Sequence, residues 1–216
     1  MHRVTTALLA SLISLTALHG ENLAGFSASA GPAFPVRALR RLLGTGYAAT
    51  GSIDFPLNDN ISIVARGEYC RWQFSGETIN TWLGASGGEM VSGAGGPFQA
   101  IPVTIGARVT FDGPLVRPYF GLSGGTCFLH WRFTGRPAAT GLPAEGRSTW
   151  TEPAMNIEAG LIVAITGGLT LDLGGTYTAC SNADDRVEPS NILGMKIAGF
   201  STATFAAVQA GVRVAL

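Results

Sequence analysis

A chain of 216 residues that is 46% hydrophobic and only 13% charged, with 30 glycines, holds one domain or at most two small ones. Its 14 basic and 14 acidic side chains cancel, which excludes nucleic-acid recognition through a basic field. Beyond the N-terminus no apolar run reaches the roughly 18 residues that a spanning helix needs.

Residues 1–20 have the pattern of a cleaved signal peptide: His2 and Arg3 make a short basic start, and Ala7 to Leu18 form an apolar segment too short to span a bilayer. Export is therefore expected, with residues 21–216 as one domain. After it the chain alternates. Phe26, Ala28 and Ala30 oppose Ser27, Ser29 and Gly31; Pro35 to Thr45 is a loop with Arg37, Arg40 and Arg41 and room for one helical turn. Tyr47, Ala49, Gly51, Ile53 and Phe55 oppose Ser52 and Asp54. Ile63, Ala65, Gly67 and Tyr69 oppose Ser62, Val64, Arg66 and Glu68. A loop is expected over Ser75 to Gly96. Ile101, Val103, Ile105, Ala107, Val109 and Phe111 then face away from Pro102, Thr104, Gly106, Arg108 and Thr110, and the next strand runs to Phe133. Arg136 to Pro153 reads as a second long loop. Ile157, Ala159, Leu161, Val163 and Ile165 oppose Asn156, Glu158 and Gly160; Leu171, Leu173 and Tyr177 oppose Asp172, Gly174, Thr176 and Thr178. A third loop, Ser181 to Ser201, leads to a closing strand from Thr202 to Leu216. A period of two is the signature of strands with one apolar and one polar face.

Eight strands result, joined alternately by long loops and by the short turns Pro56 to Asn60, Asp112 to Leu115 and Thr166 to Gly168. That rhythm predicts an all-β, eight-stranded antiparallel up-and-down barrel with one plain and one elaborated rim, not a Greek-key sandwich. The minority face carries Asp54, Arg66, Glu68, Arg108, Glu158, Asp172, Gln209 and Arg213 among small residues, and so is too charge-balanced and glycine-rich for a solvated exterior. It fits the interior of a narrow barrel, where the charges pair as a plug because an unpaired one is costly. The apolar face is then the lipid belt of a transmembrane barrel. A soluble, lipocalin-like ligand carrier is the alternative that the opposite orientation would give.

Trp72, Phe74, Trp131 and Phe133 at the long-loop ends, with Tyr119 and Phe111 beside a short turn, are expected to form two aromatic girdles, although parity turns Trp72 and Phe74 inward. Cys70, Cys127 and Cys180 share inward parity near the long-loop ends; free buried thiols are expected, and Cys127–Cys180 is the pair to test first for a disulfide. No His/Cys/Asp grouping has metal-ligand spacing, and no cofactor is expected. His130 has lipid-facing parity and lacks a convincing serine and carboxylate partnership, so no catalytic residue is assigned. Pro102 removes a ladder donor within a strand, which predicts a bulge or a position at the outer rim.

IPVTIGARVTF, a turn, then RPYFGLSGG, with Pro118, Tyr119, Gly121, Gly124 and Gly125, resembles the central hairpin of the small eight-stranded outer-membrane barrels of Gram-negative bacteria, the OmpA/OmpX-like family. GTGYAATGSIDFPLNDNISIVARGEY is similar to that family's second hairpin. The resemblance covers the chain after residue 20. It implies a monomeric protein in the bacterial outer membrane with periplasmic termini, in contact with outer-membrane lipid and lipopolysaccharide and delivered by the assembly machinery through its C-terminal strand. Family members commonly end in Phe; here Leu216 stands in that place, with Val208, Ala210, Val212 and Val214 in the required parity. A structural or surface-interaction role follows, with Arg37, Arg40 and Arg41 as candidate lipopolysaccharide contacts. A narrow pore or transporter and a lipid-A-modifying enzyme are the alternatives.

Overall fold

The computed structural model describes residues 24–41, 43–74, 91–137, 141–166, 168–181, 190–192, 195–197 and 202–215. The strands are β1 (Gly25–Val36), β2 (Gly46–Pro56), β3 (Ile61–Gln73), β4 (Val91–Gly95), β5 (Pro97–Thr110), β6 (Val116–Pro137), β7 (Ala144–Thr166), β8 (Leu169–Ser181), β9 (Ser190–Ile192), β10 (Met195–Ile197) and β11 (Thr202–Ala215). Eight of them close a barrel in the order β1-β2-β3-β5-β6-β7-β8-β11, with β11 returning to β1 and every neighbour antiparallel. The short turns expected from the sequence join β2 to β3, β5 to β6 and β7 to β8. In the first, Asn58 Oδ1 accepts from the backbone N–H of Asn60 at 3.0 Å and of Ile61 at 2.8 Å, so the side chain closes the turn. Among the described residues no helix is long and apolar enough to cross a membrane.

The elaborated rim departs from expectation. Arg136 to Pro153 is not a long loop: β6 continues to Pro137 and β7 begins at Ala144, paired without a break from Gly135↔Ala144 down to Val116↔Val163. Turn residues such as Pro137 and Pro153 masked a hairpin whose outer part stands above the barrel wall. Inside the expected loop of Ser75 to Gly96, β4 adds to the flank of β6, continuing the line of β5 past a break at Gly96, whose φ of 152° suits glycine. Residues 75–90 of that loop, residues 1–20, where a signal peptide is expected, and Leu216 lie outside the described residues. The loop of Ser181 to Ser201 contains the small hairpin β9–β10.

Pro102 causes no bulge. Its register with β6 runs on through Pro102↔Cys127, and on the β3 side the pairs resume in the same register at Cys70↔Ala100 after Gly67↔Val103. The missing N–H is absorbed by a local gap beside Glu68 and Tyr69, below the rim.

Faces follow the alternation. Ile105, Met155, Val208, Leu122 and Val103 are half or more exposed on the outside, whereas Arg108, Cys70, Trp72 and Thr178 are fully buried within. Outward aromatics recur eight residues apart on three strands, Phe26 and Phe34, Tyr47 and Phe55, Phe120 and Phe128. Eight residues make about 26 Å of strand, or about 20 Å along the axis at a tilt of roughly 40°, close to the height of a lipid-facing apolar band. These are the girdle positions. Of the expected girdle residues whose side chains are described, Phe111 is outside, Trp72, Trp131 and Tyr119 point inward and Phe74 packs against the interior cluster; the side chain of Phe133 lies outside the described set.

Candidate functional site

The interior is layered, and each layer follows from which strand positions share a height. At the short-turn end an open vestibule of about 1130 Å³ is walled by Asp54, Asn58, Asp59, Thr110, Arg117 and Arg213 among others. Its inner end is closed by a chain of charges. Arg213 pairs with Asp54, whose Oδ1 accepts from Arg108 Nη1 at 2.8 Å. Arg108 in turn grips Glu158 with two parallel bonds, Nε to Oε1 at 2.8 Å and Nη2 to Oε2 at 2.9 Å, and Arg66 pairs with the same Glu158. Bidentate guanidinium–carboxylate pairing of this kind is both strong and geometrically specific. The Arg108 guanidinium also lies 4.6 Å from the centroid of the Tyr119 ring, a cation–π contact.

Five of the seven charges singled out in the sequence, Asp54, Arg66, Arg108, Glu158 and Arg213, are thus brought into one ion-paired network. Glu68 and Asp172 do not join it. Asp172 accepts from the Tyr119 hydroxyl at 2.7 Å, and Glu68 Oε1 accepts from Gln209 Nε2 at 3.0 Å, with the Thr176 hydroxyl and the Cys70 thiol each at 3.5 Å. Full pairing was expected of all seven; these two are held by neutral donors because the three interior guanidiniums are committed to Asp54 and Glu158. Two residues were missed. Tyr119, expected in a girdle, shares the inward parity of Gly121 and Ser123, and it fits because Gly160 lies against its ring: a Cβ there would sit 2.7 Å from Tyr119 Cζ. Glu152, inside the expected loop, is buried at the level of Cys127.

Above the charges lies a neutral polar layer. Asn156 donates to Thr178 Oγ1 at 2.7 Å and accepts from Arg66 Nη1 at 3.3 Å, while Ser29 donates to Gln209 Oε1 at 2.8 Å. Next come the three cysteines, Cys70, Cys127 and Cys180, all free and buried. We expect a maleimide reagent to label none of them in the folded barrel and all three after denaturation, read by mass spectrometry. Labelling of the folded form would show that water reaches this layer.

The long-loop end is sealed by an apolar cluster that includes Trp72, Phe98, Leu129, Trp131 and Phe205, with Leu39 and Leu43 folded in from above. A short 3-10 helix, Arg37–Arg41, carries Leu39 into the barrel mouth, as the single turn expected there allows, and leaves Arg37 and Arg40 exposed. His130 faces outward and shares a hydrogen bond of 2.8 Å with the Thr149 hydroxyl. Among the described residues no group of His, Cys, Asp and Glu is placed to hold a metal ion.

The closed eight-stranded antiparallel wall is an arrangement found among solved outer-membrane proteins. Neisserial surface protein A superposes with a TM-score of 0.50 at 18% identity, over 89% of this chain and 97% of that one. The fold is that of the small outer-membrane barrels. The Ail protein of Yersinia pestis, solved with the heparin analogue sucrose octasulfate, matches at 12% identity and a TM-score of 0.47, over 90% of this chain and 99% of its own. The N-terminal barrel domain of Pseudomonas aeruginosa OprF matches at 16% and 0.42, over 92% and 100%. No family model matches the sequence, and no curated protein does.

Proposed function

We propose that the chain is an integral protein of the bacterial outer membrane, exported by residues 1–20, with both ends of the barrel domain in the periplasm and a structural or surface-interaction role. The observation that carries this reading is the inversion of faces: Ile105 and Val208 lie well exposed outside while Arg108 and Glu68 are buried inside. Only a solvent of lipid chains makes that inversion favourable. The barrel works as a rod closed by two plugs, and interaction falls to the long loops and their rim. Its C-terminal strand, β11, is the segment offered to the outer-membrane assembly machinery, and Arg37, Arg40 and Arg41 sit on the loop that would meet lipopolysaccharide.

The test is fractionation with heat-modifiable gel migration. The protein is expected in the outer-membrane fraction, running faster unheated than boiled; recovery as a soluble periplasmic protein would overturn the reading in favour of a ligand carrier. In planar bilayers we expect no steady conductance, because the Arg108 layer and the aromatic cap each close the lumen. A steady conductance left unaltered by Asp54→Asn or Arg213→Gln would refute the plugged interior.

A further inference from the structure

One side of the barrel carries cations on its outer surface at the height where the apolar band ends. The register sets Tyr69, Ile101 and Phe128 at the last apolar level of β3, β5 and β6, with Thr151 beside Phe128 on β7. One outward step higher lies a polar row across the same four strands, Arg71, Gln99, His130 and Thr149. Another step up, Arg132 of β6 and Arg147 of β7 are direct cross-strand partners, both exposed. Like charges placed opposite one another destabilise a strand pair, so the pair calls for a bridging anion. Glu145 supplies part of one: its carboxylate takes Arg132 at 2.8 and 3.1 Å, but both groups are about half exposed and Arg147 has no such partner among the described contacts. Arg136 follows on the same face of β6. Beside the belt, Tyr47 of β2 stands opposite Arg71, and the strands beyond it carry the outward aromatics Phe34 and Tyr177.

We propose that this belt, Arg71, His130, Arg132 and Arg147, with Arg136 above it, binds the phosphate groups of a phosphorylated outer-leaflet glycolipid whose acyl chains lie on Ile101, Phe128 and Met155. The inference rests on the outer-membrane reading and deepens it by adding, on the wall of β3 to β7, a lipid contact separate from the Arg37–Arg41 loop. Three features fit that ligand. Four of the belt's five side chains, Arg71, Arg132, Arg136 and Arg147, are guanidiniums, which match phosphate oxygens two at a time. The belt is continuous with an apolar surface below it, so headgroup and chains are met by one strip. It also lies on the tall side of the barrel, where β6 and β7 rise past their neighbours and shield the headgroup from the aqueous side.

The experiment uses the full chain folded in detergent micelles, titrated with diphosphoryl lipid A and followed by native mass spectrometry. Wild type is expected to retain the lipid, and the Arg132→Gln/Arg147→Gln double variant to retain it about tenfold more weakly. Arg71→Gln, on a separate strand, should weaken retention about threefold, and it keeps the proposal testable if the double variant does not fold. Arg117→Gln, at the short-turn end of β6 and far from the belt, should retain the lipid as wild type does. Equal retention by wild type and the Arg132/Arg147 or Arg71 variants, equal retention of dephosphorylated lipid A, or displacement by millimolar inorganic phosphate would each overturn the proposal. Heat-modifiable migration of every protein used separates these outcomes from failure of the barrel reading itself.

Discussion

Replacing Arg108 by leucine is expected to cost about 3 kcal/mol of folding stability, near the low end of what breaking a buried ion pair costs. Arg108 is fully buried and holds both Asp54 and Glu158, so its loss strips each carboxylate of a partner. Neither is left alone, since Arg213 stays with Asp54 and Arg66 with Glu158, and that residual pairing limits the damage. Glu158→Leu should cost at least as much, because it leaves two buried guanidiniums without their shared anion. Arg213→Leu should cost about 1 kcal/mol or less, because its side chain is 15% exposed at the vestibule and can be compensated by water. Denaturant unfolding in lipid vesicles, followed by tryptophan fluorescence and gel migration, gives the three values. An Arg213 variant as damaging as the Arg108 one would show that the network is not graded by burial.

The barrel was legible in the sequence because a period of two survives wherever one face must be apolar. From Ile101 to Thr110 each residue lies on the face its parity assigns, and the three short turns fall where Asn58-Asp59-Asn60, Asp112-Gly113-Pro114 and Gly168 put them. The inward set of charges was legible for the same reason. Their partners were not: whether Glu68 meets an arginine or Gln209 depends on how eight strands are sheared around the axis, which no single strand records. The girdles were misassigned because residues at strand ends were judged by height alone. Height and parity together select Phe26, Phe34, Tyr47, Phe120 and Phe128, and send Trp72 and Trp131 inside. The tall β6–β7 hairpin was missed because its outward residues Arg147, Thr149 and Thr151 are too polar or too small to mark a lipid-facing strand, as suits a segment above the apolar band.

Trp72→Ala should lower stability by about 3–5 kcal/mol, the usual cost of emptying a large aromatic site in a packed core. Trp72 is 1% exposed, packs against Phe98 and Phe205 at centroid distances of 5.9 and 5.1 Å, and donates its indole N–H to the Ala33 carbonyl at 3.1 Å. Gly46 opens the space it occupies, since a Cβ there would fall 2.8 Å from Trp72 Cγ, so the wall is built around this ring. Trp72→Phe keeps much of the packing and loses the hydrogen bond, for about 1 kcal/mol plus the missing ring area. The two variants should also differ above the barrel. Leu39 and Leu43 are anchored in the same cluster, so emptying it loosens the Arg37–Arg41 helix, and trypsin should cut after Arg37 or Arg40 faster in Trp72→Ala than in wild type or Trp72→Phe. Conductance should stay closed in both, because the Arg108 network seals the lumen by itself. If trypsin cut wild type and Trp72→Ala at equal rates, the helix would be held by its own strands, β1 and β2, and not by the cap.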